Sequence, residues 1–322
     1  VKGHGRLLAA KEIGAKQVPV DFQDYESEAS EYADLMADNK IQEFSELDMK
    51  MSADILQDIK DSGDIELEMS AFTEEALNEL LAKSQEGEVK DDDADLTPPE
   101  NPVSEQGDIW LLGKHRLICG DSTKAETYEN LMNGKKVNLV VTDPPYNVAY
   151  EGTAGTIQND SMEDGKFYEF LFSAFKCMYD VCADGASIYV FHADKESINF
   201  RTAFRDAGFF CHQTCIWVKN TPVLGRCDYQ YCHEPILVGW KPTAGHKWYS
   251  DRKQRTVWNF DKPKKSELHP TTKPIPLVAY PIQNSSVVNS VILEPFGGSG
   301  STLIACEQTD RICYAIEIDE KF

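Results

Sequence analysis

The stretch SVILEPFGGSGST, at residues 290–302, decides the fold of this chain. Its apolar start is typical of a buried strand, its glycines favour a tight turn, and a helical pattern begins near Ser301. This order of elements forms nucleotide-binding loops, because glycines let the backbone approach a ligand closely. The stretch lacks both the Gly-Lys-Ser/Thr of a triphosphate-binding loop and the full dinucleotide fingerprint. The next predicted strand ends at Glu317, where an acidic side chain can bind ribose hydroxyls, so the pattern predicts a nucleoside cofactor.

From Asp108 to the end of the chain, short apolar segments alternate with helical patterns. The predicted strands are RLICG, VNLVVT, ASIYVF, CIWVK, PILVGW, SVILEP and ICYAIE. Helices are predicted near 123–133, 166–182, 195–207, 275–284 and 300–309. The alternation predicts an α/β fold with a doubly wound, mostly parallel, seven-stranded Rossmann-like sheet. Ligands of such sheets bind beyond the carboxyl ends of the strands, which is where the glycine turn lies.

A second motif, Thr142-Asp143-Pro144-Pro145-Tyr146, directly follows the predicted strand VNLVV. Two consecutive prolines fix the backbone and remove N–H donors, which leaves the Pro144 carbonyl free to accept a hydrogen bond. The Asp143 carboxylate and this carbonyl are convergent acceptors, and the Tyr146 ring adds an aromatic face. Such a set suits a planar group that carries an NH2, such as a nucleobase. A rigid turn at a strand end would explain the prolines, but not the Asp and the Tyr together.

The net charge of −22 belongs mainly to one segment. Residues 21–105 contain 27 Asp or Glu and 5 Lys, whereas residues 106–322 contain 26 acidic and 23 basic residues. The larger part is near neutral, so the whole-chain charge does not exclude a nucleic-acid partner. We expect a small acidic, mainly helical region at 1–90, a charged and proline-containing linker at 91–106, and the large domain at 107–322.

Together the two motifs resemble those of the amino-methyltransferases of DNA, in which Asp-Pro-Pro-Tyr is catalytic and Phe-x-Gly-x-Gly binds S-adenosylmethionine. The catalytic motif comes first here, which resembles the circularly permuted β class. Cys119-Gly120-Asp121 resembles the step that contacts the cofactor adenine, and HPTTKP, at 269–274, resembles the segment that holds the methionine moiety. The loop at 147–162 is similar to the family's mobile loop beside the target base. Glu294 stands where many members have Asp, a departure that keeps the charge.

The resemblance covers residues 106–322 and implies a Rossmann-like methyltransferase that acts site-specifically on double-stranded DNA. The target base would be flipped out, and a methyl group would pass directly from S-adenosylmethionine to its exocyclic amino group. Asp in front of Pro-Pro-Tyr favours N6 of adenine. Hydrogen bonds to the amino group would localise the nitrogen lone pair, and they would strengthen in the transition state. The implied catalytic residues are Asp143, Pro144, Pro145 and Tyr146. The implied cofactor-binding residues are Asp121, Thr272, Lys273, Glu294, Phe296, Gly297, Gly298, Gly300, Thr302 and Glu317.

The segment HKWYSDRKQRTVWNFDKPKK, at 246–265, combines seven Lys or Arg with four aromatic residues and only two Asp. Basic residues with interleaved aromatics suit phosphate contacts and base stacking, so this segment is the predicted DNA reader. An ordinary solvated loop with core aromatics is the alternative interpretation. The predicted DNA-binding residues are Lys247, Trp248, Arg252, Lys253, Arg255, Lys264 and Lys265.

Residues 3–6, GHGR, and the LLAAKEIGAKQVPV that follows resemble the end of a ParB-like domain, which is often fused to such enzymes in phages and prophages. The chain begins without Met and stops just after a predicted strand, so we expect both ends to be cut. The ParB-like nucleotide or nuclease site would lie upstream, so we expect a scaffolding role for this region. The resemblance implies a cytoplasmic protein encoded by a bacterium or phage, a restriction-modification context, and a homodimer as one assembly.

Several alternatives stay open at this stage. The target could be N4 of cytosine, which uses the same chemistry, or an RNA base or a protein amide. A non-catalytic DNA-binding or regulatory module with a decayed site is the alternative of a different class. No metal is expected, because the cysteines at 211, 215, 227 and 232 lack the paired Cys-x2-Cys spacing of structural zinc sites. No apolar run approaches the roughly 18–20 residues of a membrane span.

Overall fold

The computed structural model describes residues 10–17, 57, 60, 77, 89–90, 102–148, 151–152, 155–156, 159–223, 226–261 and 272–321. Most of the acidic region and the ParB-like residues 3–6 lie outside these ranges, as do Lys264 and Lys265 of the predicted DNA reader. Contacts divide the chain into the units Val1–Leu81 and Ala82–Phe322. All elements below belong to the second unit.

The described part of this unit contains five helices, which confirm the five predicted ones to within two residues at most ends. They are α1 Ala125–Met132, α2 Asp164–Val181, α3 Ser197–Asp206, α4 Ile275–Ser285 and α5 Ser301–Gln308. The strands are β1 Ile109–Leu112, β2 His115–Cys119, β3 Val137–Thr142, β4 Glu151–Gly152, β5 Gly155–Thr156, β6 Cys182–Phe191, β7 Phe210–Val223, β8 Tyr231–Trp240, β9 Val257–Asn259, β10 Val291–Glu294 and β11 Ile312–Glu317. In the described ranges no helix is long and apolar enough to cross a membrane.

The main sheet has the strand order β1-β2-β11-β10-β3-β6-β8-β7-β9. Strands β2, β11, β10, β3 and β6 are mutually parallel, and β8 pairs antiparallel to β6. All seven predicted strands are present, and the mostly parallel sheet is confirmed. The predicted number of strands is wrong, because β1 and β9 extend the described sheet to nine strands. β1 reverses into β2 through a turn that Gly113 makes possible at φ +61°.

Helices cover both faces of the sheet because successive strand residues point to opposite sides. In β3, Val140 packs with α1, α2 and α3 through side chains such as Tyr128, Phe175 and Phe200. The neighbouring residues Leu139 and Val141 pack on the other face, against Leu277, Val278 and Ile282 of α4 and Ala305 of α5. Because both sides of β3 are buried, its sequence is a continuous apolar run rather than an alternating one.

Residues 89 and 90, which lie upstream of the sheet, also belong to the second unit. Val89 packs against the α4–α5 side of the core, and the Lys90 amide donates to the Gln308 side-chain oxygen over 2.8 Å. Contacts of this unit therefore begin upstream of residue 107, and the domain boundaries given by the sequence stay a prediction.

The topology brings the loops that carry the motifs to one edge of the sheet. Five parallel strands end at this edge, and the antiparallel β8 begins there. Polar and charged residues lie at or next to the strand ends on this edge. They are Asp121 after β2, Asp143 after β3, His192 after β6, Glu234 in β8, Glu294 in β10 and Glu317 in β11.

Candidate active site

A cavity of about 640 Å³ opens at this edge of the sheet, a size typical of ligand sites. It is lined by all four predicted catalytic residues and by every predicted cofactor residue except Gly300. Gly300 precedes α5, and its φ of +78° turns the chain into this helix. The sequence motifs therefore converge on one site, although they are about 150 residues apart in the chain.

The glycine turn packs closely against the end of β11. A Cβ on Gly297 would lie 3.3 Å from the Ile316 carbonyl oxygen, and Gly298 has a φ of +49°. Glu317 closes the turn, because its Oε2 accepts a hydrogen bond from the Gly298 amide over 2.6 Å and its Oε1 accepts one from Asp319 over 2.9 Å. The Ile318 backbone also bonds to this carboxylate, which offers about four lone-pair positions, so about one remains for a ribose hydroxyl.

Gly120 and Asp121 form the neighbouring wall of the cavity. A Cβ on Gly120 would lie only 2.8 Å from Cγ2 of Thr127, so glycine lets α1 pack against the end of β2. Asp121 Oδ1 accepts hydrogen bonds from the Thr123 amide and hydroxyl, over 2.8 and 2.7 Å. These bonds fix the Asp121 side chain at the cavity wall.

Glu294 is buried and its carboxyl group is held by the protein itself. Oε1 accepts from the Thr142 hydroxyl (2.7 Å) and the Phe296 amide (3.0 Å), and Oε2 accepts from the Thr302 hydroxyl (3.0 Å). Burial raises the pKa of Glu294 to about 8. The group thus ties the end of β3 to β10 and to the first turn of α5, and its predicted contact with a cofactor stays a prediction.

Asp143 has a partner on each carboxylate oxygen. The Tyr146 hydroxyl donates to Oδ1 over 2.6 Å, and the Lys273 ammonium donates to Oδ2 over 2.5 Å. The sequence assigns Lys273 to the cofactor, whereas the structure places this buried ammonium on the Asp143 carboxylate and 5.3 Å from the Tyr146 ring centroid. Burial raises the pKa of Asp143, and the Lys273 charge opposes that rise.

Two charged residues that the sequence analysis missed complete this cluster. Glu234 Oε2 accepts from the Tyr146 hydroxyl over 3.0 Å and lies 3.3 Å from the Lys273 ammonium. Its Oε1 accepts from Lys219 over 2.5 Å. Burial opposes the ionisation of Glu234, but the two ammonium groups hold its pKa at about 2. The only sequence signal was a charged residue at the cavity end of each apolar strand, CIWVK and CHEPILVGW.

The segment after Tyr146 is anchored at its base. Asp160 accepts hydrogen bonds from the Tyr146 and Val148 amides, over 3.0 and 3.3 Å. The Asn147 side chain bonds both to the amide and to the carbonyl of Met162. These bonds join the two ends of the predicted target-base loop at 147–162 beside the cavity, and residues 149–150, 153–154 and 157–158 lie outside the described ranges.

His192 is another cavity residue that the sequence did not single out. It is fully buried, and its Nε2 finds no hydrogen-bond partner in the described structure. Burial lowers the pKa of His192 to about 4, so the ring is neutral at physiological pH.

The predicted DNA reader does not reach the cavity in the described residues. β8 runs from Glu234 at the cavity edge to Trp240, roughly 20 Å away at about 3.3 Å per residue. The His246 ring stacks on Trp240 at 4.1 Å between centroids, and Lys247 and Trp248 follow it. Trp258 is buried in the core, as expected from the alternative interpretation of this segment as a solvated loop with core aromatics. The exposed Arg252, Lys253 and Arg255 stay predicted DNA contacts.

The cysteines do not form a metal centre in the described structure. Cys215 is buried, Cys211 is half-buried, and Cys227 and Cys232 are exposed. Across the described ranges, no three His, Cys, Asp or Glu side chains converge as metal ligands.

Residues 137–322 match the model of the N6/N4 family described as DNA methylase, and this match spans more than half of the chain. The chain belongs to the DNA methylase family. The matched residues of the methylase contain both motifs, the Lys273 segment and Glu234. Members of the family use S-adenosylmethionine, and the donor set of the cavity fits it. That set combines a glycine turn for close approach with carboxylates at Asp121 and Glu317 for nucleoside hydrogen bonds.

The methylase is also similar to individual known proteins. Type II methyltransferase M.HpaI of Haemophilus parainfluenzae is 26% identical over 230 residues, which are 64% of this chain and 71% of that protein. The protein YubD of Escherichia coli strain K12 is 29% identical over 209 residues, which are 64% of this chain and 86% of that protein. The structure of the cytosine-N4-specific PvuII DNA methyltransferase has a TM-score of 0.53 at 14% identity, and covers 68% of this chain and 86% of its own. At that identity the likeness establishes the fold.

Proposed function

We propose that the methylase transfers a methyl group from S-adenosylmethionine to N6 of adenine at a specific sequence in double-stranded DNA. The observation that carries the proposal is the position of Asp143-Pro144-Pro145-Tyr146 in the same cavity as the glycine turn. Acceptors for an amino group and a wall suited to a nucleoside cofactor therefore line one enclosed space. Asp in front of Pro-Pro-Tyr supports adenine as the base.

On the cofactor side, S-adenosylmethionine supplies an activated sulfonium methyl group when it is bound. Glu317 would accept a hydrogen bond from a ribose hydroxyl, since both its oxygens are already oriented by backbone amides. Asp121 would contact the adenine of the cofactor. Phe296 and Thr272 also line the cavity and would add packing and a hydroxyl on this side.

On the base side, the chain must make an aromatic amine nucleophilic. Its lone pair is delocalised into the ring, and hydrogen bonds from both amino hydrogens to Asp143 and the Pro144 carbonyl favour a pyramidal nitrogen. These bonds strengthen as positive charge develops on nitrogen, which lowers the barrier. Asp143 must first give up one partner, because both oxygens are engaged in the molecule without substrate. Tyr146 would stack on the flipped base and offset part of the unstacking cost, a few kcal/mol.

N4 of cytosine is the second candidate target. Adenine and cytosine both carry an amino group beside an unprotonated ring nitrogen, so the Asp143 carboxylate and the Pro144 carbonyl can accept from either base. A non-catalytic module is disfavoured, because a decayed site would not be expected to keep Asp143, Tyr146 and Lys273 in mutual contact.

Double-stranded DNA is the proposed partner, with the exposed basic segment at 247–255 as its phosphate-contacting surface. A homodimer, a cytoplasmic location in a bacterial cell and a ParB-like origin of the N-terminal region are further parts of the proposal. They derive from the sequence resemblance alone.

The proposal is tested by incubating the full chain with isotope-labelled S-adenosylmethionine and mixed-sequence duplex DNA, followed by mass spectrometry of the nucleosides. N6-methyladenine is the expected product. If N4-methylcytosine is found instead, the target base is cytosine and the proposed mechanism is unchanged. Label transferred to RNA or protein but never to DNA would refute the proposed substrate.

A further inference from the structure

Glu234 shares both of the groups that hold Asp143. The Tyr146 hydroxyl lies 2.6 Å from Asp143 Oδ1 and 3.0 Å from Glu234 Oε2. The Lys273 ammonium lies 2.5 Å from Asp143 Oδ2 and 3.3 Å from the same Glu234 oxygen. A hydroxyl has one hydrogen to donate, so Tyr146 can satisfy only one carboxylate at a time. The two carboxylates therefore compete for the Tyr146 hydrogen, whereas the Lys273 ammonium has three hydrogens and lies within reach of both.

The cluster is electrically balanced and shielded from solvent. It contains the carboxylates of Asp143 and Glu234 and the ammonium groups of Lys273 and Lys219, with side-chain exposures of 24%, 17%, 9% and 7%. Lys219 comes from β7, Glu234 from β8, and Lys273 from the segment before α4. The neutral His192 after β6 and the Tyr146 hydroxyl also lie near Glu234. Separate elements thus supply each charge.

We propose that Glu234 is a positioning residue that takes over the Lys273 ammonium and the Tyr146 hydroxyl when the amino group of the target base binds to Asp143. The inference rests on the proposed function. The amino group can bind Asp143 only if at least one oxygen loses its present donor. A buried ammonium that leaves its carboxylate without finding another is strongly destabilised. Glu234 supplies that second acceptor less than about 1 Å farther away, so the exchange needs a change of side-chain rotamer rather than a movement of the backbone.

Lys219 fixes the orientation of the Glu234 carboxylate. It occupies Oε1 of Glu234, which leaves Oε2 facing Tyr146 and Lys273. The Lys219 ammonium also lies 5.0 Å from the Trp217 ring centroid, which holds it against β7. Glu234 is therefore oriented before any substrate arrives. The proposed role requires this preorganisation, because the exchange has to take place within one turnover.

The test is Glu234→Gln in the full chain, which keeps the side-chain shape and removes the charge. Turnover of duplex DNA is measured under saturating S-adenosylmethionine, together with cofactor affinity by calorimetry. We expect kcat to fall on the order of 100-fold, because the amino group must now compete with an ammonium that has no other anionic acceptor. Cofactor affinity should stay within about twofold, since Glu234 lies on the base side of the cavity. Glu234→Asp should restore part of the rate.

The pH profile separates this role from a merely structural one. The charge of Glu234 helps to raise the pKa of Asp143, so its removal should move the acid limb of kcat to lower pH. A lower fraction of folded enzyme would reduce kcat equally at all pH values. Glu307→Gln is the matched control, because Glu307 is 64% exposed, outside the cavity, and paired with His115 and Lys114.

Each outcome has a defined meaning. Wild-type kcat in Glu234→Gln, or a reduced kcat with an unmoved acid limb, would overturn the inference. Wild-type enzyme that transfers no label to DNA would instead refute the proposed function. In that case ¹⁵N-lysine spectra of the wild type and Glu234→Gln, assigned with Lys273→Arg, still test the contact: an unchanged Lys273 titration would show that Glu234 does not hold this ammonium.

Discussion

Replacing Lys273 by Met should move the acid limb of methyl transfer by the methylase to higher pH. Lys273 is 9% exposed and donates to Asp143 over 2.5 Å, with Glu234 at 3.3 Å. Met has a similar length but no charge. The substitution therefore leaves two carboxylates in one cavity, joined by the Tyr146 hydroxyl and balanced by Lys219 alone.

The magnitude follows from the burial of the pair. Removing one partner of a buried ion pair costs about 3–5 kcal/mol. The 24% exposure of Asp143 and the remaining charge of Lys219 place this site at the lower end, about 3 kcal/mol. Asp143 can relieve the cost by taking up a proton, and one pH unit corresponds to about 1.4 kcal/mol. The acid limb of kcat should therefore move up by about 2 pH units.

Single-turnover methyl transfer to duplex DNA, measured across the pH range with saturating S-adenosylmethionine, checks this prediction. Lys273→Arg is the matched control, because it keeps a cation and should leave the acid limb near its wild-type position. The expected result is a rate for Lys273→Met that is already reduced at a pH where the wild type is fully active, and that recovers as the pH rises further. A profile with the wild-type shape, whatever its height, would refute the argument that Lys273 keeps Asp143 ionised.

Three further predictions concern other parts of the molecule. Glu317→Ala should weaken cofactor binding by about 1.5–3 kcal/mol with a smaller effect on kcat, because hydrogen bonds to a carboxylate are lost; calorimetry that finds unchanged affinity would move the ribose site elsewhere. Burial raises the pKa of Glu294 to about 8. The contribution of its neutral form to the stability of the fold is therefore fully present below the ordinary pKa of 4.5 and is lost as the pH rises through about 8. Between about pH 5 and about pH 8, the free energy of unfolding of the wild type should therefore fall by about 1.4 kcal/mol per pH unit, and Glu294→Gln should remove this fall. Urea titrations that show the same pH dependence for the wild type and Glu294→Gln would count against the prediction. Replacing Arg252 and Lys253 by Ala should reduce the slope of log DNA affinity against log salt concentration by about one for each lost phosphate contact. A slope identical to that of the wild type would exclude both residues from the interface.

The sequence predicts the fold well where local pattern and packing agree. The apolar runs of β3 and β10 are buried on both faces, so they could be assigned without knowledge of their neighbours. Asp143 and the glycine turn could be placed together because parallel strands end at the same edge. β1 was missed because its residues Ile109–Leu112 are exposed and pair at the sheet edge, where neither alternation nor a turn dipeptide indicates a strand.

The charge cluster could not be predicted, because it depends on which strands become neighbours. Glu234 stands at the cavity edge only because β8 runs antiparallel to β6. Lys219 approaches it because β7 pairs with β8 in a register that sets Val218 opposite His233. Neither fact is written in the local pattern of CIWVK or CHEPILVGW. Lys273 could be placed in the site by resemblance, but its pairing with Asp143 rather than with a cofactor is a result of tertiary geometry.

The most direct test of the account compares wild type and Asp143→Ala for two quantities measured on the same preparations: cofactor affinity by calorimetry and the rate of methyl transfer to an amino group of duplex DNA. The account predicts that transfer is lost on the order of 100-fold or more, while cofactor affinity changes by less than about threefold, because Asp143 acts on the base and not on the cofactor. An Asp143→Ala variant that methylates DNA at the wild-type rate would contradict it.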